Sequence, residues 1–120
     1  MEGAAMSVDQ VPMDRVEQLL RRLALNDERV VGSVLSRSGD HGHALDRKAE
    51  ALIQVGALLS VGACTASLRW TVERAQATGA SDEEIFGVLV AIGPAVGLAR
   101  VVAEAPRLAL AMGYEIDEEP

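Results

Sequence analysis

Aromatic side chains are almost missing from this chain: Trp70, Phe86 and Tyr114 are the only three among 120 residues. An interior must therefore be built from Ala, Val, Leu and Ile, which let helices approach closely but bury little area each. Chains of this kind commonly gain stability by burying surface between subunits, so a homo-oligomer is expected. Cysteine is scarcer still. Cys64 stands alone, which excludes an intramolecular disulfide and suits a reducing compartment. Basic residues are outnumbered, 11 against 18 acids, for a net charge of −7. The basic clusters Arg21-Arg22 and Arg47-Lys48 each stand close to acids, so the concentrated cationic face that a phosphate backbone needs is absent and nucleic acid is excluded as a partner. Met1 to Gln10 has neither a basic n-region nor an apolar h-region; no signal peptide is predicted, and a cytoplasmic location is expected. Long apolar runs are also wanting. Ala51 to Gly62 is short and contains Gln54 and Ser60, while Ile85 to Ala99 contains Pro94 and is closed by Arg100. Both read as buried or interfacial helices and not as bilayer spans. No β-alternation of useful length occurs, so the class is all-α.

What is present is a series of helical segments with punctuation. Residues 1–11 are small, polar and aperiodic, and are expected to be disordered. Pro12 can open a helix with Val16, Leu19, Leu20, Leu23 and Ala24 on one face. Asn26 stops it or caps the next, which carries Val30, Val31, Val34 and Leu35. Arg37 to His43 reads as a loop. Asp46 is a fair N-cap for a helix with Ala51, Leu52, Val55, Leu58, Leu59 and Gly62 apolar over most of its surface. The following helix, from about Thr65 to Thr78, places Leu68, Val72 and Ala75 inside, with Gly79 suited to a left-handed stop. Ser81 to Glu84 fits a capping box with three acids in the positive first turn of a helix. That helix is expected to break at Gly93-Pro94, and a last one to run to Met112 and end at Gly113. Residues 114–120 form an acidic tail that favours solubility.

One order of parts resembles a known family. Lys48-Ala49-Glu50-Ala51-Leu52-Ile53 leads into an alanine-rich helix to Gly62, then a segment from Cys64 ending Leu68-Arg69-Trp70. Ala77-Thr78-Gly79-Ala80-Ser81-Asp82-Glu83-Glu84-Ile85 follows, then Gly93-Pro94-Ala95-Val96-Gly97. This arrangement, strongest over 48–113 in a domain of residues 12–113, resembles the carboxymuconolactone decarboxylase-like superfamily, which includes the alkylhydroperoxidase D-like (AhpD-like) proteins. The resemblance implies an all-helical domain of about six helices around an antiparallel helix pair, assembled as trimers or hexamers. Redox-active members carry two cysteines separated by two residues, a histidine one turn later and an upstream glutamate. Here Cys64 matches the first cysteine, Ser67 stands at the second, Thr71 at the histidine and Leu52 at the glutamate. The proton relay is not carried over, and the chain resembles a subgroup without the paired thiols.

Each candidate side chain has two readings. Cys64 sits near a helix N-terminus, where the dipole lowers a thiol pKa and Ser67 can donate to the thiolate; free cysteine also serves as a small buried hydrophobe. Glu50 is either a displaced general acid or base or a surface partner of Arg47. Arg69 suits a carboxylate substrate and Trp70 the wall of a pocket; alternatively Arg69 pairs with Glu73 and Trp70 anchors a core or interface. Arg100 and Glu104 interrupt a very apolar helix at i, i+4 and need partners: they pair with each other, bridge subunits or line a cavity, with a bridge extended by Arg107 the first expectation. His41 and His43 have a histidine-x-histidine spacing without a fixed ligand set, so a plain loop is expected and neither metal nor cofactor is assigned. Gly93 and Gly97 read as close helix packing around Pro94.

Three functions remain open. The first is a carboxymuconolactone decarboxylase-like (lyase) enzyme on a small carboxylated or oxidised molecule, with a pocket bounded by Glu50, Cys64, Ser67, Arg69 and Trp70. The second is single-thiol, peroxiredoxin-type peroxidase chemistry at Cys64. The third is a non-catalytic oligomeric binding module.

Overall fold

The structure, a computed structural model, describes residues 10–36 and 44–116. Among these residues it is entirely helical, with six α-helices and no strand. The described residues divide into two compact units, residues 10–36 and 44–116.

The first unit holds α1 (Gln10–Ala24) and α2 (Glu28–Ser36). Helix α1 begins at Gln10, two residues ahead of Pro12, so the end of the expected disordered segment is helical. Asn26 adopts φ 60° and stops α1, a conformation that asparagine tolerates better than most residues. Asp27 Oδ1 then accepts from the Arg29 amide at 3.0 Å at the start of α2. The apolar face of α1 is formed as expected, yet Val16 and Leu20 remain exposed. Residues 1–9, the 37–43 loop with His41 and His43, and the tail beyond Ile116 lie outside the described residues.

The second unit is a four-helix assembly: α3 (Arg47–Val61), α4 (Thr65–Ala77), α5 (Asp82–Val96) and α6 (Leu98–Ala111). Asp46 caps α3 by accepting the Ala49 amide at 2.7 Å. At its other end Gly62, at φ 67°, forms a left-handed stop: the Gly62 amide reaches Leu59 O and the Ala63 amide reaches Leu58 O. A three-residue turn therefore sends α4 back antiparallel to α3, and Arg74 reaches Gln54 Oε1 at 2.9 Å across the pair. Gly79, at φ 98°, ends α4 as expected. The capping box is complete, Glu84 N to Ser81 Oγ at 3.0 Å and Ser81 N to Glu84 Oε1 at 2.9 Å. Lys48 adds a link from α3 to Glu84 at 3.0 Å.

The core is aliphatic throughout. Val55 and Leu59 from α3, Leu68 and Val72 from α4, and Ile85 from α5 are its largest fully buried side chains, joined by Leu89 and Leu108. Helices can approach this closely because Gly56 faces α5: a Cβ there would lie 3.1 Å from Val88 Cγ1. The close-packing glycine is thus Gly56. Gly93 and Gly97, expected in that role, leave ordinary contact or open space. The expected break at Gly93-Pro94 also falls elsewhere. Helix α5 continues through Pro94 to Val96 and stops at Gly97, φ 93°, whose amide still reaches Gly93 O at 2.8 Å. Proline removes one helical donor without stopping the helix, whereas the positive φ at Gly97 turns the chain. No helix among the described residues is long and apolar enough to cross a membrane.

Candidate functional site

Cys64 is the N-cap residue of α4, extended at φ −66° and ψ 159°, and it is exposed. Its Sγ lies 3.3 Å from Ser67 Oγ, one turn into the helix. The thiol makes no cap hydrogen bond. Its pKa is nevertheless lowered from the ordinary thiol range, first by the Ser67 hydroxyl and then by the amide of Ser67, with a smaller share from the amide of Ala66. The physical cause is the helix end. The first amides of α4 have no acceptor within the helix, and they favour negative charge on a sulfur placed among them. Sequence reasoning paired Cys64 with Ser67, and the structure brings them together.

The other candidates separate. Arg69 and Trp70 continue along α4 and line a shallow open hollow of about 500 Å³ with Thr65, Ala66 and Glu73. Trp70 is 62% exposed, so it is not a core anchor; the Arg74 guanidinium lies over its ring, 5.0 Å from the centroid. No ion pair joins Arg69 to Glu73 among the described residues. Glu50 lies in the first turn of α3, half-buried, at the opposite end of that helix from the Cys64 turn. The rise from Glu50 to Val61 is about 16 Å, and the Gln54–Arg74 bond places Glu50 level with the C-terminal end of α4. The five candidates therefore do not bound one pocket. Leu52 packs against the core and Thr71 is buried on the inner face of α4, so the two positions that match a family proton relay face the interior. Among the described residues no group of His, Cys, Asp and Glu is arranged to hold a metal ion.

Two features of the second unit were not read in full from the sequence. The first is the destination of the charges on α6. Glu104 is buried at 2% exposure, and its carboxylate is shared by Arg107 at 2.6 Å and Arg100 at 3.3 Å. The same Arg107 guanidinium donates through Nη2 to the carbonyl of Ala63, immediately before Cys64. The charges pair along their own helix, one of the arrangements expected of them, and also grip the α3–α4 turn. Their signal in the sequence was the interruption of an apolar helix; the partner carbonyl, 44 residues away, left none. The second is a groove of about 420 Å³ between α5 and α6, walled by Phe86, Leu89, Leu108 and Met112, with Tyr114 donating to Asp82 at its rim.

No family model matches the chain, and no curated protein or solved structure is similar to it.

Proposed function

We propose that this protein is a carboxymuconolactone decarboxylase-like, alkylhydroperoxidase D-like helical protein that keeps single-thiol chemistry at Cys64 and acts on a small oxidised molecule. The observation that carries this reading is the exposed Cys64 sulfur at the start of α4, 3.3 Å from the Ser67 hydroxyl. A thiolate is the nucleophile in peroxide reduction, and both the hydroxyl and the helix amides favour it.

In the reaction, the Cys64 thiolate attacks the terminal oxygen of a hydroperoxide. The S–O bond forms as the O–O bond breaks, sulfur is oxidised by two electrons, and the alkoxide leaves and takes a proton from solvent. The sulfenic acid has no second cysteine in the chain to resolve it, because serine stands at position 67. A small external thiol displaces water to give a mixed disulfide, and a second releases Cys64 as thiol. Arg69 and Trp70, sharing a hollow on the same helix, supply a cation and an apolar wall for a carboxylated substrate.

The lyase reading gains less support, since it asks Glu50 to serve a substrate held near Arg69 and Cys64. Assembly as a homo-oligomer, a trimer or hexamer, belongs to the same proposal. Ile53, Ala57 and Val61 leave an exposed apolar stripe on α3, and Phe86, Val90, Leu98 and Val102 add exposed apolar area.

The test is consumption of hydrogen peroxide and of an organic hydroperoxide with dithiothreitol, together with sulfenate trapping on Cys64. The wild-type chain turns over and is trapped, and Cys64→Ser does neither. Equal turnover by Cys64→Ser, or no turnover and no trapped sulfenate, refutes the reading. Consumption of a carboxylated lactone that survives Cys64→Ser would transfer support to the lyase alternative, and inactivity on both would favour a binding module. Light scattering at the same concentrations reads the oligomer.

A further inference from the structure

We infer that Arg107, held by Glu104, is a positioning residue for the Cys64 thiol: by bonding the Ala63 carbonyl it fixes the peptide from which Cys64 projects toward the start of α4. This deepens the single-thiol reading above and rests on it.

The Ala63–Cys64 peptide is planar, so holding its carbonyl orients the Cys64 amide and the N–Cα bond that carries the side chain into the start of α4. The end of α3 does not need this bond. Its left-handed stop is closed by the Gly62 and Ala63 amides on the Leu59 and Leu58 carbonyls, and the Ala63 carbonyl takes no part. A guanidinium is a rigid planar fork, so a group fixed at one prong aims the other. Here Nη1 of Arg107 is fixed on Glu104 Oε1 at 2.6 Å, and Nη2 meets Ala63 O. The second carboxylate oxygen is taken by Arg100, whose Nη1 lies 2.6 Å from where a Cβ on Gly62 would stand. Arg107 thus holds Ala63 while Arg100 lies against Gly62, both anchored on a carboxylate that is itself buried. Such an expensive group in an apolar helix is explained by what it holds.

The charged groups around the turn are Arg100, Glu104 and Arg107 from α6, with Arg69 and Glu73 further along α4. Positioning therefore has to be distinguished from simple attraction of the thiolate by arginine. Cys64 is the only thiol, so the rate of its alkylation by iodoacetamide against pH reports this site alone. The experiment compares wild type, Arg107→Gln, Arg107→Lys and Glu104→Gln in the full chain, below the unfolding transition of each variant.

Expected is a midpoint raised by about half a pH unit in Arg107→Gln and Glu104→Gln, a threefold slower alkylation below the wild-type midpoint. Arg107→Lys, which keeps the charge without the fork, is expected to behave like Arg107→Gln. An unchanged profile in folded Arg107→Gln overturns the inference. So does a wild-type profile in Arg107→Lys, because charge and not the held peptide would then set the thiol. Should Arg107→Gln fail to fold, Glu104→Gln frees the same fork with little change of volume and decides alone. Peroxide turnover by the wild type is read separately. A clamp-dependent profile without turnover removes the peroxidase reading and leaves the positioning role. Turnover with an unchanged profile does the reverse.

Discussion

Replacing Glu104 by leucine tests the central electrostatic feature of the second unit. The carboxylate is 2% exposed and accepts from two arginines, at 2.6 and 3.3 Å. Each charge-assisted hydrogen bond contributes about 1.5–3 kcal/mol net. Burying an apolar side chain in the same place returns about 1.5–3 kcal/mol. Stranding a buried charge usually costs about 3–5 kcal/mol. Here the stranded charges belong to side chains still 40% exposed in Arg100 and 29% in Arg107, so water recovers part of that loss. The cost of stranding already contains the two lost hydrogen bonds, so about 4 kcal/mol less about 2 kcal/mol returned by burial leaves a destabilisation of about 2 kcal/mol, which in a unit of this size lowers Tm by about 10 °C.

Far-UV circular dichroism through thermal and urea unfolding measures it. The exposed Trp70 is a weak reporter of the core and is the wrong probe. A control sharpens the result: Arg100→Leu with Glu104→Leu and Arg107→Leu removes all three charges together, and is expected to recover most of the loss, because no ion is then left without a partner. Glu104→Leu within 0.5 kcal/mol of wild type, or a triple variant worse than the single one, would refute the account of the triad.

Gly62→Ala places a Cβ at φ 67° and 2.6 Å from Arg100 Nη1; it is expected to cost about 2 kcal/mol in the same unfolding assay, with most of the cost surviving in Arg100→Ala because the backbone strain is independent of the clash. Ser81→Ala removes one half of the capping box and should cost about 1 kcal/mol. The Glu84 carboxyl is held below the usual glutamate range, first by the Ser81 amide and then by Lys48. Its contribution is full above that range and is lost as pH falls through the lowered value, so Tm against pH should show a shallower acid limb in Glu84→Gln. Tyr114 is the only tyrosine, and its hydroxyl is raised above the ordinary phenol range by its hydrogen bond to Asp82. That contribution is full below the ordinary range and is lost as pH rises through the raised value. Ultraviolet absorbance should show the titration moving down in Asp82→Asn, and an unmoved titration would deny the contact.

The fold was legible where local chemistry decides it. Asp46, Ser81 with Glu84, and Gly79 each announce a helix end through a side chain or a backbone freedom of their own, and all three act as read. The aliphatic spacing of Val55, Leu59, Leu68 and Val72 likewise named the interior. What failed was any inference that needed a third partner. Proline at 94 looked like a break, but the helix runs through it and stops at Gly97, whose positive φ turns the chain. Gly56 carried no local mark because its use lies in Val88 on another helix.

The same division runs through the site. Cys64 and Ser67 are one helical turn apart, so their meeting at 3.3 Å follows from the helix alone. Glu50 was grouped with them as a displaced general acid or base, and a straight helix carries it to the far end of the pair. Arg107 was grouped with nothing near the sulfur, although it holds the residue before Cys64. Both outcomes have one cause. In a hairpin, residues equally distant from the turn are neighbours, while residues near the turn are neighbours of whatever packs across its end. Helix α6 packs there, and its buried carboxylate is the fixed point from which two arginines reach the turn. If Arg107 positions the thiol as inferred, a substitution at Glu104 on α6 should change the reactivity of Cys64 without touching any substrate contact.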